Sequence, residues 1–383
     1  MRKLDLTSRF DAALGAVPED FAGGPVGLAV SGGSDSLALL HLAHQWARPR
    51  GARLLVLTVD HRLRPAGAAE AAGVARLAGE LGLAHRTLAW DAPVARQSAA
   101  RRARHALLAA ELKAAGGHLL LTGHTASDQA ETVLMRARQG SGWYGLAGMR
   151  ALSLSPVWPE GEGVWIARPL LGETREDLRG WLEGQGLGWS DDPSNDNPAF
   201  ERVRVRTRLA ASRVLRDRTL VCQQHFAGLR RLEDALLASW LGRHVHIGAD
   251  GTVIAHLAGL APERAARGLG ILLQCVAGRE TPPRSQALLD LAARSLAAPA
   301  FRGATLGGVR LRPSRAGLKL APESGARLNP PSPEALAARM NAFRHLFITS
   351  AHDFVAGAGK ESFLEGLPPI FAYNTVSIMR DLP

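Results

Sequence analysis

Cysteine is almost missing from this 383-residue chain, which has only two, Cys222 and Cys275. They stand far apart and without histidine-rich flanks. That argues against a zinc knuckle, a disulfide framework and a cysteine-ligated iron–sulfur cluster. Such usage suits a reducing, cytoplasmic compartment. Long apolar runs are missing too, and no run approaches the length needed to cross a bilayer, so no membrane partner is expected. The opening Met1-Arg2-Lys3-Leu4-Asp5 leads into mixed polar residues instead of an apolar block, so no secretion signal is expected. Lysine is scarce, confined to Lys3, Lys113, Lys319 and Lys360. With no lysine between Lys3 and Lys113, the glycine-rich turn near residue 32 is not a Gly-Lys-Ser/Thr phosphate loop.

Positive charge is plentiful: the formal net charge is +11, carried almost wholly by arginine. A chain rich in Ala, Gly and Leu favours arginine over lysine, but that bias does not explain the excess of positive over negative charge. A balance this basic points to a polyanionic partner, and arginine suits bidentate phosphate contact. The length suggests two or three domains.

Apolar runs alternate with helix-compatible stretches through the first half. Residues 53–59, 84–90 and 118–123 read as strands, and 66–81, 97–115 and 127–138 as helices. This alternation predicts an α/β fold with a doubly wound, mostly parallel sheet, its ligands at the carboxyl ends of the strands. Residues 139–165, rich in Gly, Ser and Pro, read as a long loop, and 173–185 as a helix. An arginine-studded helix from about 201 to 231 leads into a helical domain, with a β-hairpin over 301–320. The expected domains are 1–215, 216–300 (helical) and 301–383 (a small α+β C-terminal region). No motif stands out over 329–383.

The most informative string is Val26-Gly27-Leu28-Ala29-Val30-Ser31-Gly32-Gly33-Ser34-Asp35-Ser36. A buried strand stops at a glycine turn and a helix begins at once. Backbone N–H groups and a helix N-terminus then converge on one point, an anion site to which Ser31, Ser34 and Ser36 add hydroxyls. A second string, Gly123-His124-Thr125-Ala126-Ser127-Asp128-Gln129-Ala130-Glu131-Thr132, puts Asp128, Glu131 and Thr132 together near a helix start, with His124 at the strand end before it. Carboxylates beside a phosphate loop invite Mg²⁺ or an ammonium group, although Ser127 and Asp128 also suit a helix cap. Arg101 and Arg104 share a helix face. His61, after the second strand in Asp60-His61-Arg62, reads equally as a site residue or a structural histidine. Between Arg202 and Arg218 lie seven arginines and one acid, Asp217. Arg204, Arg208 and Arg213 belong to this phosphate-tracking face.

Together, S-G-G-x-D-S, the G-H-T-x-x-D-Q-A-E-T string, Arg168-Pro169-Leu170-Leu171 and the Asp192-Pro193-Ser194-Asn195 segment with the arginines after it resemble the tRNA(Ile)-lysidine synthetases. These are pyrophosphate-loop enzymes with an adenine-nucleotide α-hydrolase-like fold. The resemblance covers about residues 20–218. It implies ATP-dependent replacement of the C2 oxygen of the wobble cytidine in a CAU-anticodon tRNA(Ile) by the amine of free L-lysine, through an adenylated intermediate, with release of AMP and pyrophosphate. ATP would be held by Ser31, Gly32, Gly33, Ser34, Asp35 and Ser36, with His61 and His124. Asp35 and Asp128 would act around the lysine ammonium or a metal, and Arg104 with Arg202 or Arg206 would stabilise the adenylation transition state. Arg101, Glu131, Arg204, Arg208 and Arg213 would contact lysine or tRNA. Mg²⁺ is implied by the chemistry and not by any ligand pattern. Four positions depart from the family's usual residues: Ser127 in place of Asp, Arg62 of Gly, His105 of Tyr and Val203 of Asn. Ser127 matters most, because it removes a carboxylate.

Other readings remain at this level. A pyrophosphate-loop tRNA thiolase activates its base in the same way, but tends to carry cysteine pairs. An amidotransferase of the same superfamily would need a glutaminase cysteine near Met1. A nucleic-acid-binding module with a degenerate ATP site would not retain Ser31–Ser36 intact.

Overall fold

The computed structural model describes residues 5–15, 17, 23–62, 66–91, 96–190, 199–297, 300–325, 328 and 330–357, with the side chains of 350–357 left aside. The Asp192–Asn195 string and residues 358–383 lie outside these. The chain divides into two compact units, one of residues 1–153, 164–230 and 353–383, the other of 154–163 and 231–352.

The first unit is built on a six-stranded sheet of order β3-β2-β1-β4-β6-β5. After α1 (Leu6–Gly15), β1 (Val26–Ala29) runs into α2 (Ser34–Ala47). β2 (Leu54–Asp60), α3 (Ala66–Glu80), β3 (Ala84–Ala89), α4 (Gln97–Ala114), β4 (Leu119–Thr122) and α5 (Ala126–Arg138) follow. All four residues of β1 and of β4 are buried, as expected of strands covered on both faces and bordered by parallel neighbours. β1 lies between β2 and β4, parallel to both, with Gly27 opposite Leu55 and Leu120. The chain fills the sheet outward through β2 and β3, then returns to the other side of β1 for β4. The carboxyl ends of β1 and β4 therefore flank the point where strand order reverses, the position at which such sheets open a crevice. Leu108, Ala109 and Leu112 of α4 pack on Ala29, Leu55, Leu57 and Leu120 and close one side of the core.

The segment 139–165, expected as loop, is shaped instead. It holds α6 (Trp143–Leu146) and β5 (Leu152–Leu154) and ends at β6 (Trp165–Ala167), which pairs in parallel with β4. The Gln129 side chain pins it, donating to the Met149 carbonyl at 3.0 Å and accepting from its N–H at 2.7 Å. α7 (Arg175–Gly184) starts at a Thr174 cap. The arginine-rich stretch is two helices, α8 (Glu201–Ala211) and α9 (Arg213–His244). Extended Ser212 separates them, and its hydroxyl accepts the Leu215 N–H at 3.2 Å, the side-chain competition that makes serine an N-cap.

The region expected to be helical with an appended hairpin contains a five-stranded antiparallel sheet, ordered β7-β8-β11-β10-β9. Its strands are β7 (Val245–Ile247), β8 (Val253–Ala255), β9 (Ala304–Leu306), β10 (Val309–Ser314) and β11 (Gly317–Pro322). Besides the C-terminal part of α9 it holds α10 (Pro262–Val276), α11 (Ser285–Leu296) and α12 (Pro333–Gly357). The three-residue strands β7 and β8 are too short for their alternation to register in sequence.

Candidate active site

The turn between β1 and α2 has Gly32 at φ +91°, a region open to glycine at little cost. Gly33 occupies the N-cap of α2 and offers no side-chain cap; the Ser36 N–H donates to its carbonyl at 3.0 Å, which leaves the Ser34 and Asp35 N–H groups to an anion. Ser36 organises the turn: its hydroxyl donates to the Gly33 carbonyl at 2.9 Å and accepts the Ser31 N–H at 3.2 Å. Ser34 donates to Asp35 Oδ1 at 3.2 Å.

The second string meets this turn directly. A Cβ on Gly123 would lie 2.9 Å from the Asp35 carbonyl oxygen, so only glycine lets the end of β4 approach the start of α2 this closely. Beyond it, Thr125 and Asp128 form a reciprocal capping box on α5. Asp128 Oδ2 accepts the Thr125 N–H at 2.9 Å, while the Thr125 hydroxyl accepts the Asp128 N–H at 3.4 Å. Capping uses only one carboxylate oxygen. The other, Oδ1, accepts from Arg202 Nη2 at 2.7 Å. Glu131, 1% exposed, accepts from Arg202 Nε at 2.6 Å and from Arg206 Nε at 2.7 Å. Arg202 and Arg206, expected to face the reacting phosphate, are thus engaged with the carboxylates of α5.

Two arginines that the motifs did not single out complete the group. Arg175, at the first turn of α7, donates to Asp35 Oδ2 at 3.0 Å, with its Nη2 3.7 Å from Asp128 Oδ1. Its backbone N–H points to the Ser127 hydroxyl at 3.5 Å. One turn later Arg179 Nε donates to Ser34 Oγ at 3.4 Å. The signal available in sequence was their spacing of four, which places both on one face of α7. Burial pushes the Asp35 carboxyl up against the pull of Arg175. Burial also opposes the charge of Asp128, but Arg202, the Thr125 N–H and Arg175 together hold that carboxyl below its usual range.

Beside the loop a cleft of about 310 Å³ opens between the ends of β1 and β2, walled by α3 and α4. Ser31, Asp60, His61, Glu70 and Arg104 line it over a floor of Ala29, Leu57 and Leu108. His61 and Arg104, both expected at the site, meet here. Burial first, then Arg104, pushes the His61 pKa down, and its ring stands edge-on to Trp90 at 6.1 Å. Arg62, where the family often has glycine, takes φ +51°; the left-handed backbone explains the glycine and strains an arginine.

The surroundings of His105 and His124 are cationic, with Arg101, Arg104 and Arg168 near both. Arg168, from the Arg-Pro-Leu-Leu string, donates to the Arg150 carbonyl and to Ser153 Oγ, both at 2.9 Å, and burial pushes its pKa down to about 10. Burial and the nearby arginines also lower His105 and His124 to about 3 each, so both are neutral near pH 7. His124 Nδ1 pairs with Thr122 Oγ1 at 2.9 Å. Exposed Arg101 contributes to this positive field. Arg204, Arg208 and Arg213 lie apart from the cleft, exposed on α8 and at the start of α9.

The family described as the PP-loop domain matches residues 6–212. The tRNA(Ile)-lysidine synthase of Hyphomonas neptunium is 56% identical over 362 residues, covering 94% of this chain and 97% of that protein. The tRNA(Ile)-lysidine synthase of Caulobacter vibrioides is 39% identical over 295 residues, covering 76% of this chain and 65% of that protein. Among solved structures, the U34-tRNA thiolase NcsA from Methanococcus maripaludis is similar at a TM-score of 0.46 and 15% identity, over 57% of this chain and 78% of that one.

Proposed function

This chain belongs to the tRNA(Ile)-lysidine synthase family, and we propose that it joins free L-lysine to C2 of the wobble cytidine of a CAU-anticodon tRNA(Ile). ATP drives the reaction, as in the PP-loop family to which residues 6–212 are matched. The observation that carries the residue-level reading is the meeting of the Ser31–Ser36 turn with Asp35, Asp128 and Glu131 at the reversal point of the sheet.

In this reading the adenosine enters the cleft beside His61 and Arg104. The β- and γ-phosphates rest on the N–H groups between Ser31 and Ser36. The cytidine C2 oxygen attacks the α-phosphorus and pyrophosphate departs. The lysine amine then attacks C2, and the bond to the AMP oxygen breaks. Fixed donors in a partly dry site lower the energy of the charge that develops on the phosphates. Arg104 is suited to that task because it lines the cleft, whereas Arg202 and Arg206 are committed to Asp128 and Glu131. The amine must be neutral to attack, and Asp35, its carboxyl pushed up by burial, is suited to take the proton.

Among the described residues no group of three or more His, Cys, Asp or Glu side chains is placed to hold a metal ion. In this reading a Mg²⁺ would be carried by the nucleotide phosphates and water, which leaves Asp35 to the lysine amine. Bound there, Mg²⁺ would neutralise phosphate charge. Arg204, Arg208 and Arg213 would track tRNA phosphates. No described helix is long and apolar enough to cross a membrane, and the proposed reaction belongs in the cytoplasm with its tRNA.

The test is incorporation of labelled lysine into tRNA. The expected result is label in CAU-anticodon tRNA(Ile), with pyrophosphate released only when ATP and that tRNA are both present and AMP released only when lysine is added. Sulfur transfer to tRNA without lysine incorporation would establish the thiolase reading instead.

A further inference from the structure

The three acids of the site are matched by three arginines. Asp35 has Arg175 at 3.0 Å, Asp128 has Arg202 at 2.7 Å, and Glu131 has Arg202 and Arg206 at 2.6 and 2.7 Å. Each carboxylate of the group therefore already has a guanidinium partner. An arriving ammonium finds no uncompensated carboxylate, and it would have to displace a guanidinium that makes directed, charge-assisted bonds.

The three arginines are not equivalent. Arg202 and Arg206 come from α8 and close on Glu131, which is almost wholly buried. Arg175 comes from α7 and, although less exposed than Arg202 and Arg206 (22% against 37% and 31%), pairs with the more open acid, Asp35, at 19%. It also has somewhere else to go. Asp35 lies in the first turn of α2, beside the free N–H groups that receive phosphate, and Arg179 of the same helix already reaches Ser34 in that turn. A triphosphate seated on the loop would offer Arg175 a stronger anion than one carboxylate, without moving α7.

We propose that Arg175 is a placeholder cation that holds the Asp35–Asp128 gap until nucleotide binds, then turns to the phosphates and opens the gap to the amino group of the second substrate. Nucleotide and amine affinities are thereby coupled, and by linkage the coupling is reciprocal. The placeholder also keeps the partly buried Asp35 carboxylate from standing uncompensated between turnovers. Ser127 takes part by what it lacks: an aspartate there would add an acid that Arg175 could not also match. The proposal rests on lysine being the second substrate.

The experiment is equilibrium dialysis of labelled L-lysine with the full chain, with and without α,β-methylene-ATP and in the absence of tRNA. In the unaltered enzyme the analogue should tighten lysine binding by on the order of tenfold, the scale of ordinary coupling between sites. Arg175→Gln should bind lysine equally well with and without the analogue, at or above the liganded level of the parent. Arg175→Lys keeps the charge without the planar fork, and should fall between the two. If Arg175→Gln does not fold, the parent and Arg175→Lys decide the matter. Lysine binding that ignores the analogue in the parent, or coupling that persists undiminished in the variants, overturns the placeholder while leaving lysine as substrate. Failure of lysine to bind under either condition removes the substrate assignment itself, and the proposal with it.

Discussion

His105 is a titratable residue kept in one state by its neighbours. It is 8% exposed, its Nδ1 has no hydrogen-bond partner, and burial with Arg101, Arg104 and Arg168 lowers its pKa from 6.5 to about 3. Below pH 6.5 the unfolded chain takes up a proton there that the folded chain refuses. Stability is therefore complete above pH 6.5 and declines as the pH falls towards 3. At pH 5 the loss from this residue is about 2 kcal/mol. Replacing His105 with Phe should remove that loss, so that urea midpoints at pH 8 and pH 5 differ less than in the parent. Parallel pH profiles would contradict it. At this scale the acids were legible in sequence, because Asp35, Asp128 and Glu131 stand in strings whose spacing sets them near helix starts. Arg175 was not, since its partners lie 140 and 47 positions away and no local pattern encodes them.

Among the elements, the junction of β4 with α2 decides whether the phosphate loop keeps its shape. Gly123 is needed for space, not for an unusual dihedral: a methyl group would sit 2.9 Å from the Asp35 carbonyl oxygen and 3.1 Å from its carbon, both rigid backbone. Gly123→Ala should force the start of α2 outward. The expected cost is about 1–3 kcal/mol in stability, with loss of nucleotide affinity beyond what the drop in stability accounts for. Thermal melts with and without an ATP analogue read both, and an unchanged melt with unchanged affinity would refute the crowding argument. In the first unit β2 to β4, α3 to α5 and α7 were legible within a residue or two, because apolar runs bounded by glycine and polar residues mark the buried strands, whereas α6, β5 and β6 were not. The break at Ser212 was not, since arginines continue through it and only a serine hydroxyl marks the new helix. β5, β7 and β8 were missed for the same underlying reason, as three residues carry no period.

For the molecule as a whole, the charge of +11 acquires two distinct uses. Arg175, Arg202 and Arg206 are drawn inward to acids and Arg104 lines the cleft, while exposed arginines are proposed to meet a polyanion. Arg208 and Arg213 belong to the second class. Arg213 is 85% exposed and holds only a surface pair with Asp217 at 3.5 Å, which constrains it little. Arg208→Ala with Arg213→Ala should weaken tRNA binding and flatten its dependence on salt by about 1–2 in logarithmic slope, with ATP-analogue binding intact. Equal slopes for parent and double variant would remove these arginines from the tRNA face.

The proposed reaction depends on a loop that presents the α-phosphate of ATP to a tRNA base and releases the other two phosphates. Incubating the enzyme with CAU-anticodon tRNA(Ile) and ATP labelled in its α-phosphate, without lysine, tests this directly. Label should pass to the tRNA and leave it as AMP when lysine is added, whereas ATP labelled in the γ-phosphate should transfer nothing. Label from the γ-phosphate on the tRNA, or none from either position, would contradict the account.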